Sequence, residues 1–179
     1  MVTIVMLLAL TLTPREAIVM RHLMTTRSFE YPHTGEAGIH SKGYLALRVL
    51  ARSKDADAAF KELVAHAAPA GQLYGLIGVS RTDPAFFRAQ LERFRKLHES
   101  TGVVNGCEVT NEQVANIVAQ PRAVQLPAGT TLNAWLTAHP DEPSFIDIAG
   151  GGLTSLFLDP EEPQAAEQRA LRDEKATFP

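Results

Sequence analysis

Apolar residues recur at helical spacing through the middle of the chain. Tyr44, Leu47, Leu50 and Ala51 fall on one face of a short helix. Ala56, Ala59, Phe60, Leu63, Val64 and Ala67 form a second stripe, with Asp55 placed to cap its helix. Pro69 suits the first turn of a third helix, which carries Leu73, Leu76 and Ile77 on one side and Gly71, Gly75 and Gly78 on another. Three helical glycines cost roughly 1 kcal/mol each relative to alanine, so a neighbouring backbone is expected close against them. Asp83-Pro84 opens a fourth helix that buries Phe87, Leu91, Phe94 and Leu97. Helices joined by such short breaks pack as antiparallel hairpins.

The flanks carry weaker patterns. Ser28 to Gly43 is rich in turn formers and reads as a connecting loop. Gly102 to Val109 is β-branched and glycine-punctuated, which predicts a short strand or an extended buried segment containing Cys107. Thr110 and Gln113 match a capping box for a helix with Val114, Ile117 and Val118 on its face. Leu132, Trp135 and Leu136 predict another short helix. Phe145 to Gly152 predicts a strand running into a triple-glycine turn, with a second strand over Thr154 to Leu158. The fold class expected is mainly α: helical hairpins, one or two short strands and a polar C-terminal helix over about Gln164 to Lys175. The domain would span 28–158, between an apolar segment at 1–27 and a charged, solvated tail at 159–179.

Val2 to Leu12 is an apolar run of signal-peptide length, yet no Lys or Arg precedes it and no A-x-A-like site follows. Two readings stay open: a buried element in a cytoplasmic protein, or a signal peptide over residues 1–17 of a periplasmic one. No stretch reaches the roughly 20 apolar residues of an integral membrane span.

Composition narrows the chemistry. The 179 residues carry a net charge of −3, and Asp159 to Lys175, with six acids and three bases, accounts for it. A chain without basic excess is not expected to bind nucleic acid through its phosphates. One cysteine excludes an internal disulfide framework, and in its apolar segment Cys107 reads as a small buried hydrophobe. His33 and His40 lack the i, i+4 spacing of a helical zinc motif, so no metal and no cofactor are expected. Gly150, Gly151 and Gly152 resemble a phosphate-cradling turn without its lysine. Asp147 ahead of them is the candidate for a ligand turn. No catalytic set emerges.

Ala70 to Val79 (AGQLYGLIGV), Asp83-Pro84 with Phe87, Gly106-Cys107 and Asp147 to Gly151 together resemble a group of small helical proteins from soil bacteria. They share an A-G-x-L-Y-x-L-x-G-L-like helix and a D-I-x-G-G-like turn. The resemblance implies a shared fold, and some proteins of this general kind look like immunity partners of toxins. The expectation is therefore a non-enzymatic protein that binds another protein, a cognate antibacterial toxin such as a nuclease. Contacts are expected at Arg88, Arg95, Glu161, Glu162 and Glu167. The rival readings are a small hydrolase using Asp147, the glycine turn and a histidine such as His139, and an exported envelope scaffold.

Overall fold

Four strands and seven helices make up the residues described by the computed structural model, which are 10–35, 39–119 and 164–179. In chain order they are α1 (Pro14–Thr25), β1 (Ser28–Thr34), β2 (Ile39–His40), α2 (Lys42–Ala51), α3 (Ala56–His66), α4 (Pro69–Thr82), α5 (Pro84–Phe94), β3 (Ser100–Gly106), β4 (Glu108–Gln113), α6 (Val114–Ala119) and α7 (Gln164–Thr177). The strands form one mixed sheet in the order β2-β1-β3-β4. The protein is thus α/β, and the mainly helical class expected from periodicity is corrected.

The four central helices form where the apolar stripes place them. α4 is the hub, with Ala70 to Val79 almost wholly buried apart from Gln72. Its glycines admit neighbours: a Cβ at Gly75 would stand 2.8 Å from Leu63 Cβ and from Val64 N of α3, and one at Gly71 would strike the Leu23 carbonyl of α1. Pro69 and Pro84 occupy first turns, and Asp83 accepts from Phe86 N at 3.0 Å. Asp55 stands before α3 without capping it. Its carboxylate instead accepts from Thr11 N at 2.9 Å and Thr11 Oγ1 at 2.7 Å, tying down the chain ahead of α1. A capping box does form at Thr13 and Glu16, at the start of α1.

The sheet is what periodicity missed. Ser28 to His40, expected as loop, supplies two strands. β1 pairs in parallel with β3 through Ser28–Gly102, Phe29–Val103 and Glu30–Val104, then shifts register before Thr34. Pro32, which has no N–H to give a ladder, lies within that shift. β3 and β4 form an antiparallel hairpin closed by Gly106 and Cys107, with Gly106 at φ 59° and Asn105 opposite Glu108. Gly at the first central position is the requirement of a type II′ turn. Cys107 is therefore exposed at a hairpin tip, contrary to the buried site expected. Thr110 and Gln113 lie in β4 and form no helix box. α6 starts one residue later and buries Val114, Ile117 and Val118, as their spacing predicts.

α7 forms where a polar C-terminal helix was expected, but it is docked. Ala170, Glu174 and Phe178 are all buried, one turn apart along a single line. The predicted helix at 132–136 and the strands at 145–158 lie outside the described residues. No helix among the described residues is long and apolar enough to cross a membrane.

Candidate functional site

Two constellations among the described residues bring polar side chains from several elements together and are the candidates for a site. The first lies on the sheet. Alternation along paired strands puts Tyr31 of β1, Val103 and Asn105 of β3, and Glu108, Thr110 and Glu112 of β4 on one face. With Ile117 of α6 they line a cleft of about 230 Å³. Val103 and Ile117 supply an apolar floor, and the two carboxylates and the threonine hydroxyl run along the outer strand. Burial pushes the Tyr31 hydroxyl up to about 12, so it keeps its proton at neutral pH and can donate a hydrogen bond. Glu108 and Glu112 are four strand residues apart, about 13 Å along the backbone. That separation suits two contacts along an extended ligand better than an acid and a base acting on one bond. Val109 projects from the opposite face, 72% exposed.

The second constellation lies beneath α7. Glu174 accepts from Arg48 Nε at 3.0 Å and from the Arg52 guanidinium, and Arg15 Nη2 stands 3.9 Å away. Arg48 also donates to the Tyr44 hydroxyl at 3.0 Å. One residue earlier, Asp173 meets His40 Nδ1 at 2.7 Å. The His40 ring stacks on Tyr44 at 5.5 Å and faces His33 with ring centres 4.9 Å apart. Tyr44, Arg48 and Glu174 are all buried, so this network holds α7 to α2.

Of the contact residues expected, Arg88 is exposed on α5 and Arg95 is exposed at its C-cap. Arg95 pairs with Glu92 at 2.7 Å. Arg93 of the same helix is structural, donating to the Val64 carbonyl at 2.9 Å and to Gln72 Oε1 at 3.1 Å. The structure does not bring Arg88 or Arg95 to either constellation. Asp147, Gly150, Gly151, Gly152, His139, Glu161 and Glu162 lie outside the described residues. Glu167 lies in α7. Sequence reasoning missed the cleft, although Asn105-Gly106 is a hairpin signal and Glu108, Thr110 and Glu112 alternate at strand period.

Comparison of the chain with protein-family models, with curated proteins and with solved structures gives no match.

Proposed function

We propose that this protein is a non-enzymatic binding protein of the immunity type, which neutralises a toxin by seating one of its basic segments on the β3–β4 hairpin. The observation that carries the reading is the row Glu108, Thr110, Glu112, which runs along the last of the described strands of the sheet and opens on the cleft. An outer strand offers backbone N–H and C=O groups to an added strand, and alternate side chains then choose the partner. Glutamates at both ends of this strand disfavour a second copy of the same edge and favour lysine and arginine. The nearby Tyr31 hydroxyl, kept protonated, and the Val103–Ile117 floor fit a segment that alternates basic with apolar or carbonyl-bearing groups. The resemblance of the Ala70–Val79 helix to the immunity-like group points the same way, and a nuclease, with its basic active site, is the natural target.

The test is co-expression with the product of the neighbouring gene, followed by capture of the complex and a growth-rescue assay. Rescue is expected from the wild type, and the double variant Glu108→Lys, Glu112→Lys should slow association about tenfold or more at low salt. Hydrogen exchange should show the outward β4 amides, those not given to β3, becoming protected only in the complex. No complex, rescue indifferent to the double variant, or outward β4 amides already protected in the free chain would overturn the reading.

A further inference from the structure

β1 and β2 pair over only two positions, His33 with His40 and Thr34 with Ile39. Ser41 N donates to the Pro32 carbonyl at 2.9 Å, so Pro32–Ser41 is a hydrogen-bonded position. The next position along an antiparallel ladder is the narrow one, where backbones approach to about 4.5 Å and side chains come closest. The two histidines occupy it. Their ring centres stand 4.9 Å apart, and two imidazoles bound to one tetrahedral ion at about 2.0–2.1 Å place their centres roughly 5 Å apart.

Asp173 supplies a second observation. A carboxylate only accepts, so at 2.7 Å from Nδ1 it accepts that nitrogen's proton in a hydrogen bond, and in the neutral ring the lone pair is then on His40 Nε2. A carboxylate behind an imidazole is the arrangement that orients metal-bound histidines and raises their basicity. The Tyr44 ring, stacked at 5.5 Å, holds the plane of the His40 ring. His33 itself is exposed, at the entry side.

From this juxtaposition we propose that His33 and His40 bind one divalent transition-metal ion of the zinc and copper class. Asp173 of α7 acts as the residue that positions His40. Among the described residues no three His, Cys, Asp or Glu side chains converge on one point, so water completes the coordination shell and the ion is exchangeable. Because Asp173 belongs to α7, the bound ion ties the β1–β2 hairpin to the C-terminal helix.

The experiment is calorimetric titration of the chelator-treated full chain with Zn²⁺, paired with electron paramagnetic resonance of one equivalent of Cu²⁺. One ion per chain is expected, with Cu²⁺ showing hyperfine coupling to two nitrogens. His33→Gln, an exposed change that leaves the fold intact by circular dichroism, should weaken Zn²⁺ binding at least tenfold. Asp173→Asn should weaken it by about 10- to 100-fold. The paired variant His66→Gln, His98→Gln, away from the hairpin, should bind as wild type does. Absence of binding below millimolar Zn²⁺, affinity unmoved in His33→Gln, or loss in the His66/His98 control would overturn the proposal.

Discussion

Gly75 shows how a single missing side chain sets the distance between two helices. A methyl group there would stand 2.8 Å from Leu63 Cβ, 2.8 Å from Val64 N and 2.9 Å from the Phe60 carbonyl. Two of these atoms are backbone and cannot swing away. Gly75→Ala should therefore destabilise the protein by about 1–3 kcal/mol, although alanine favours helix by about 1 kcal/mol. Urea denaturation checks the sign, since a surface helical glycine would respond with a gain. His22 gives a residue-scale prediction of a different kind. Its pKa is lowered, first by burial and then by Lys42, against a smaller opposing effect of Glu30. The unfolded chain therefore binds a proton near pH 6.5 that the folded chain refuses. Stability should be full above that pH and fall as the pH drops below it, and His22→Gln should flatten this limb in denaturation curves measured between pH 7.5 and 5.5. The glycine row is legible from spacing alone. The histidine is not, because one of the rings beside it is Phe178, centred 5.8 Å away and far along the chain.

At the scale of elements, α7 is the informative case. Its mean composition is polar, and what holds it is the line Ala170, Glu174, Phe178 together with the arginines facing Glu174. Removing the carboxylate takes from the buried Arg48 the ion pair it makes with Glu174 and leaves Arg52 without that contact too. Glu174→Ala should cost about 3–5 kcal/mol, seen as a lowered denaturation midpoint and as loss of amide protection in α7. A glutamate in the middle of a buried stripe hides that stripe from any hydropathy reading, so the tail reads as solvated. The helices from Tyr44 to Phe94 read correctly because each buries a stripe of its own residues, whereas Leu97, expected on the last of them, lies past its end and is half-buried. β1 did not, because the alternation Phe29, Tyr31, His33 is interrupted by Pro32 and its partner strand lies beyond four helices. Parallel pairing leaves no local turn signal to find. β4 was misread for a related reason: Thr110 and Gln113 match a capping box, but the hairpin turn at Gly106–Cys107 commits those residues to the ladder first.

Seen whole, the molecule separates its polar chemistry into two regions joined by β1. The sheet cleft sits at the β4 edge, and the histidine pair sits at the β2 edge next to α7. Neither region was legible as a site, since each assembles residues from elements distant in sequence. The charge arithmetic, which placed the whole net −3 in the tail, pointed to a solvated acidic arm. In the structure Glu174 is neutralised internally, and the acidic row that faces a cleft is Glu108 and Glu112 on β4. The parallel pairing of β1 with β3 also governs when this protein becomes competent during its synthesis. β1 leaves the ribosome early, with only the two-residue β2 to pair with, and must wait while α2 to α5 are made before β3 arrives. Non-local pairing of this kind is slow to close. The cleft is built from β1, β3, β4 and α6, so it does not exist on a nascent chain until the last of these has emerged. A partner that reads it can therefore meet a chain built through α6 before α7 has arrived to dock on α2.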